Sequence, residues 1–209
     1  MLPAIKPMRL YGNERLIISG KEGPTTLDVW QWSSSDLLSN SLRGIFAEYL
    51  VAWALGVTGE TRIEWDAADL KFRDAKIEVK SAAYLQTWKQ ERLSTINFSI
   101  RQTTAWDEQT GKFDSELKRK ADLYVFCLLA HTDKSTVTPL DTSQWRFFVL
   151  PSAAINDQLK DQKSIGLSKL MSLTPTECTY DDLHEAIVSL VDQINMATVT
   201  TDNTRQDEG

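Results

Sequence analysis

Sulfur and imidazole are scarce in this chain. Only two cysteines, Cys127 and Cys178, occur in 209 residues, far apart and with no CxxC pair. That argues against a disulfide framework or a thiolate zinc site, and Cys127, inside an apolar run, reads as a core residue. The two histidines, His131 and His184, sit in no metal-ligand spacing and beside no serine or cysteine nucleophile, so both read as surface or cap residues. A glycine-rich P-loop and a dinucleotide fingerprint are both missing, which removes a nucleotide cofactor from the expected chemistry. The start, Met-Leu-Pro-Ala-Ile-Lys-Pro, has no signal-peptide apolar core, and no stretch is apolar enough to span a membrane. A soluble cytoplasmic protein with no membrane partner is expected.

Positive charge is also in short supply, with a formal net charge of −6. Its distribution is uneven. Residues 71–120 carry 11 Lys/Arg against 7 Asp/Glu, so this segment is basic while the remainder is acidic. A basic segment of this kind can face phosphates, although a local fluctuation in charge explains it equally well. At 42% hydrophobic and 25% charged the composition is ordinary for a globular chain, and one domain with its own core is expected.

What is present is a dense stretch of patterned charge, Asp69-Leu-Lys-Phe-Arg-Asp-Ala-Lys-Ile-Glu-Val-Lys80. Leu70 and Phe72, then Ile77 and Val79, alternate with charged residues, the period-two pattern of two half-buried strands. With Asp74-Ala75 as the turn, Phe72 faces Ile77, Lys71 faces Glu78 and Asp69 faces Lys80. Asp69 and Glu78 are then diagonal neighbours about 7–8 Å apart at the backbone, near enough to share one divalent cation. A solvated amphipathic hairpin fits the same residues.

Upstream, Leu37–Leu55 is the strongest helix pattern, with Gly56 placed to end it. Its second half is apolar almost all round, yet it carries Glu48, which has no helical partner three or four residues away. A buried carboxylate costs several kcal/mol unless it is paired, protonated or bound to metal. Gly44 on the same face suggests a close approach there. Elsewhere the pattern predicts a short strand at Leu16–Ile18, a strand over Thr25–Trp32 and another at Arg62–Trp65. It also predicts a helical turn within 82–93, strands at Ile96–Ile100, Ala121–Ala130 and Trp145–Leu150, and a final helix whose stripe includes Leu183, Ile187 and Val191.

In this order of elements the chain resembles the restriction-endonuclease-like nucleases, the PD-(D/E)xK superfamily, over roughly residues 37–150. The resemblance implies an α/β fold with a restriction-endonuclease-like core, a mixed central β-sheet flanked by helices. A single domain of this kind is expected over 37–196; the Pro- and Gly-containing start reads as an N-terminal extension over 1–36 with one or two short strands, and the polar run after Met196 as a disordered tail over 197–209. Asp69 would be the first metal ligand and Glu78 the second, with the Val79 carbonyl assisting. Lys80 would orient the attacking water, and Glu48 would contact the metal directly or through water. Mg²⁺ is the implied cofactor, with Mn²⁺ able to substitute, and DNA is the implied substrate, in restriction, defence or repair. Ala68 stands where the family pattern has proline. Some relatives place a functional glutamine after the lysine; Gln86 is the nearby candidate, and it reads as polar surface.

For nucleic-acid contacts the candidates are Arg73, Lys89 and Arg92, together with Arg101 and with Trp88 as a stacking platform. Trp53, Trp65 and Trp145 read as core. With few cations elsewhere, a homodimer or a larger protein complex is expected to help hold DNA. Two alternatives stay open: a non-catalytic DNA- or protein-binding module of the same fold, and a nuclease acting on RNA.

Overall fold

The structure is a computed structural model that describes residues 5–63, 68–104, 106–107, 112–113 and 117–206. The chain opens with a hairpin, β1 (Arg15–Ile18) and β2 (Lys21–Thr25). Its loop, Ser19-Gly20, has φ of 52° and 80°, the backbone that a tight two-residue hairpin requires. Helix α1 (Thr26–Ser34) follows at once. Residues 26–32 are therefore helical rather than part of the strand that the alternation over Thr25–Trp32 predicts. Thr25 and Asp28 form a capping box: Thr25 Oγ1 accepts from Asp28 N at 3.2 Å and Asp28 Oδ2 from Thr25 N at 2.7 Å. The cap settles the conformation where the apolar pattern is ambiguous.

Helix α2 (Asn40–Ala54) ends as the sequence predicts. Gly56 takes φ 70°, its N–H donates to Trp53 O, and Val57 N–H donates to Ala52 O, which completes a Schellman cap. The hairpin β3 (Leu70–Phe72) and β4 (Ala75–Ala83) comes next. Its loop is Arg73-Asp74 rather than Asp74-Ala75, since Leu70 pairs with Ile77 and Phe72 with Ala75. A shift of two residues leaves every side chain on the same face, so a period-two pattern cannot detect it. Arg73 accepts the cost of φ 52°, held by an ion pair to Asp192 at 2.6 Å and by its guanidinium lying 5.2 Å from the Phe72 ring centre.

The remaining elements are β5 (Asn97–Ser99), β6 (Trp106–Asp107), β7 (Lys112–Phe113), β8 (Leu123–Leu129), β9 (Trp145–Pro151), α3 (Ser152–Leu159), β10 (Ser164–Gly166), α4 (Leu167–Ser172), β11 (Thr176–Cys178) and α5 (Leu183–Gln206). Five strands form the central sheet in the order β11-β9-β8-β4-β3. β4 and β8 are parallel and the other neighbours antiparallel, so the sheet is mixed. On one face Ala47, Leu50 and Val51 of α2 and Leu183, Ile187 and Val191 of α5 pack against Ile77, Val79 and Val125. On the other, Ile155 of α3, Leu170 of α4 and Phe98 and Ile165 of the small β5–β10 sheet cover Phe126 and Phe148. The protein is thus α/β, with a central mixed sheet flanked by helices.

Several expectations need correction. Residues 84–96 form no helix; the Gln90 side chain accepts from Gln86 N and donates to Tyr84 O, meeting backbone groups that a helix would have paired internally. Arg62 and Ile63 lie in no strand, and Glu64 and Trp65 fall outside the described residues. Trp53 is 60% exposed rather than core, because α2 turns that side outward. α5 continues to Gln206, past the boundary expected at Met196. Phe147, wholly buried and stacked on Trp145, anchors the first core. Phe147→Ala is expected to cost about 3–5 kcal/mol in urea denaturation.

Candidate active site

The antiparallel register of β3 and β4 pairs Leu70 with Ile77, and one step further back it sets Asp69 beside Glu78. The sequence-derived diagonal is thus replaced by a closer juxtaposition. Asp69 Oδ2 accepts from Val79 N at 2.8 Å, which fixes the carboxylate against β4. Lys80 Nζ lies 2.5 Å from Glu78 Oε1 and 3.7 Å from Asp69 Oδ2. One ammonium therefore serves two carboxylates, one on β4 and one on the residue immediately before β3. Val79 itself turns its side chain into the core.

Glu78 and Lys80 project from the face opposite Ile77 and Val79, and Glu78 is in register with Tyr124 of β8. Burial raises the Glu78 carboxyl above its ordinary range; Lys80 opposes this, and the charges of Asp69 and Glu48 add to it. For Lys80, burial disfavours the charged form, yet Asp69, Glu78 and Glu48 together outweigh it and raise its proton affinity. Tyr124, mainly through burial and then through Glu78, is also pushed up and stays a neutral phenol. The site holds more negative charge than one lysine neutralises.

Glu48 comes from the middle of α2, with its side chain 12% exposed. Its lack of a partner on its own helix is met from outside: Arg62 grips the carboxylate with two nitrogens, Nη2 at 3.1 Å from Oε1 and Nε on Oε2. Sequence reasoning missed Arg62. The signal is its isolation, since it is the only Lys or Arg between positions 44 and 70. Among the described residues the close approach expected at Gly44 is not seen, with nothing within 4 Å of where a Cβ would stand.

Gln86 is buried at 6% exposure rather than lying on a polar surface. It accepts from the buried Arg43 at 3.4 Å and donates to Ala83 O, tying the start of α2 to the end of β4. Among the nucleic-acid candidates, Trp88, Lys89 and Arg92 are exposed together in the loop after β4, where the Trp88 carbonyl accepts from Lys134. Arg73 sits at the opposite end of β4, ion-paired to Asp192. The structure gathers Asp69, Glu78 and Lys80, presents Glu48 nearby, and divides the basic candidates between two ends. His131 bonds Thr136, and His184 Nδ1 lies 2.9 Å from Ala54 O at the C-terminus of α2, in keeping with surface and cap roles.

Among the described residues, no three His, Cys, Asp or Glu side chains converge as a ready-made metal cage. Lys80 stands between Asp69 and Glu78, and Arg62 holds Glu48, so the chain's own cations engage the oxygens that a metal ion would use. The donors available are hard carboxylate oxygens, which suit Mg²⁺ or Mn²⁺ rather than a soft ion. A cleft of about 960 Å³ opens beside the cluster, with Glu48, Arg62, Asp69 and Lys71 among its walls.

The family model for bacteriophage T4 endonuclease IV matches residues 26–169. The chain belongs to the bacteriophage T4 endonuclease IV family. Within this nuclease family match lie Glu48, Asp69, Glu78 and Lys80, while the β1–β2 hairpin, β11 and α5 fall outside it. No curated protein and no solved structure matches the chain. Because Asp69 accepts the Val79 N–H, Asp69→Ala is expected to destabilise this endonuclease IV family member by about 1–2 kcal/mol more than Asp69→Asn, which keeps an acceptor, as read by denaturant unfolding.

Proposed function

We propose that the chain is a divalent-metal-dependent deoxyribonuclease built on a restriction-endonuclease-like core, cleaving DNA phosphodiester bonds in restriction, anti-phage defence or repair. The observation that carries this reading is the single Lys80 ammonium lying between the Asp69 and Glu78 carboxylates. Membership of an endonuclease family supports phosphodiester chemistry, and the parallel strand β8 beside the β3–β4 hairpin supports the superfamily reading.

Asp69 and Glu78 would hold the ion, joined by Glu48 directly or through water, with the Val79 carbonyl assisting. A bound Mg²⁺ supplies charge neutralisation at the phosphate and acidifies a water molecule. Lys80 orients that water: its ammonium, held by two acids, keeps its proton until the acids are neutralised and then becomes a better proton relay. Burial raises the Glu78 carboxyl above its ordinary range, so acid disfavours the ionised form that would hold the ion. Trp88, Lys89 and Arg92 flank the end of the active strand and would contact the DNA backbone.

Plasmid cleavage with Mg²⁺ or Mn²⁺ tests the assignment. Glu78→Ala and Lys80→Ala are each expected to lower kcat by about 10²–10⁴-fold while remaining folded; activity equal to wild type in both would refute it. A raised Glu78 pKa means that protons compete with the ion above the ordinary carboxylate range. Divalent-ion affinity, followed by calorimetry, is therefore expected to increase from mildly acidic to neutral pH.

A second reading has its own observation, because each acid of the cluster already has a cationic partner. A non-catalytic binding module would need nothing more. It predicts no divalent-ion heat at any pH and no loss of function in Lys80→Ala.

A further inference from the structure

β8 is the middle strand of the central sheet, and it carries one hydroxyl, that of Tyr124. Tyr124 is 3% exposed and in register with Glu78 of β4, so its side chain leaves the sheet on the face that also carries Glu78 and Lys80. The ring is fixed from behind. It stacks on Phe126 with centroids 5.7 Å apart and planes at 18°, and Phe98 packs edge-on against Phe126 at 5.1 Å. Buried Leu150 of β9 is its neighbour on the side away from Glu78.

Among the described residues the Tyr124 hydroxyl makes no hydrogen bond. The charged groups that act on it are Glu78, Arg119 and Asp69. Each is engaged elsewhere: Arg119 donates to Ile100 O, Asn156 Oδ1 and Gln162 O, Glu78 Oε1 holds Lys80, and Asp69 Oδ2 accepts from Val79 N. Among the described residues, the side-chain atoms both sealed from solvent and unbonded are Arg43 Nε and Ser152 Oγ. The Tyr124 oxygen is unbonded but not sealed, so the residue's small exposure includes its tip. Polar groups on buried residues are almost always hydrogen-bonded, and one without a partner is costly. Phenylalanine would fill the same space without that cost.

We propose that the Tyr124 hydroxyl donates a hydrogen bond to a non-bridging oxygen of the scissile phosphate, which makes Tyr124 a further catalytic residue beside Asp69, Glu78 and Lys80. The assignment rests on the metal-site reading of that cluster. A phosphate drawn to the cluster brings acceptor oxygens to the place where Glu78 and Tyr124 stand side by side. Negative charge on those oxygens grows in the transition state, and a donor fixed in advance by ring packing stabilises it without reorganising. A phenol suits a site crowded with acids, because it is neutral and needs no carboxylate to balance it. Burial, reinforced by Glu78 and Asp69, keeps it protonated, so it donates a hydrogen bond and retains its proton.

Tyr124→Phe removes the oxygen and keeps the ring. In plasmid cleavage with saturating Mg²⁺ it is expected to lower kcat by about 10²-fold, with KM within about threefold of wild type. The urea midpoint is expected to stay unmoved, since no internal hydrogen bond is lost, and Mn²⁺ affinity in calorimetry to stay unchanged. The acid limb of the kcat profile should keep its position, because a hydroxyl acting through Glu78 would shift it. A kcat within about tenfold of wild type overturns the assignment. A lower urea midpoint overturns it by revealing a partner inside the protein. A parallel loss of Mn²⁺ affinity or a shifted acid limb overturns it by making Tyr124 a support for Glu78. If the wild type binds Mn²⁺ and cleaves DNA while Tyr124→Phe matches it, this assignment alone fails. A wild type that neither binds a divalent ion nor cleaves DNA overturns the metal-site reading as well.

Discussion

The seven-residue parallel pairing of β4 with β8 is the constraint on which the rest of the molecule depends. Parallel neighbours cannot be joined by a tight turn, so the chain must leave the sheet after Ala83 and return at Leu123. On the way it lays down β5, which pairs with β10 and covers the second face. At the start of the ladder Asp122 closes the register with both its groups: its N–H donates to Lys76 O and its carboxylate accepts from Lys76 N, each at 2.8 Å. β8 is buried along its whole length, which makes it a poor place for charge. β4 is different. Its even-numbered residues run from half-buried Glu78 and Lys80 to buried Ala82. The polar site exists where the strand has not yet passed under that cover.

Electrostatics then set the resting state. Three carboxylates come from α2, from the residue just before β3 and from β4, and the chain meets their charge with Lys80 inside the cluster and Arg62 at its rim. Such pairing is not itself strong support for stability, since desolvating the ions offsets much of their attraction. Its effect is on poise. Glu78 is raised chiefly by burial, with Asp69 and Glu48 adding to it, whereas Lys80 is raised because the surrounding acids outweigh its burial. A multivalent cation would relieve the repulsion among those acids more fully than a proton.

Much of this arrangement was legible in the sequence, for identifiable reasons. The apolar runs that became β8 and β9 and the stripes of α2 and α5 are long and strongly patterned, and burial enforced them. Gly56 marked the end of α2 because a Schellman cap needs a left-handed residue. The hairpin's faces were readable but its register was not, because alternation is unchanged by a two-residue slip. At α1 the alternating pattern misled, while the capping signal Thr25-x-x-Asp28 was present and outweighed it. Trp53 looked like core because hydrophobicity alone does not say which side of a nearly apolar helix faces water. Arg62 and Gln86 could not be placed from spacing, since each meets its partner only through the tertiary fold.

The central sheet ends on both sides in a strand of only three residues, β3 and β11. The middle residue of each is charged and exposed, Lys71 on one edge and Glu177 on the other. Open sheet edges are templates for aggregation, and short edge strands with a charge at the centre are the usual protection against it. The edges of the central sheet therefore offer a neighbour only short, charged strands. Extension of the central sheet by a neighbouring copy is thereby disfavoured at both ends, which leaves Asp69, immediately before β3, at an edge that another strand does not readily cover.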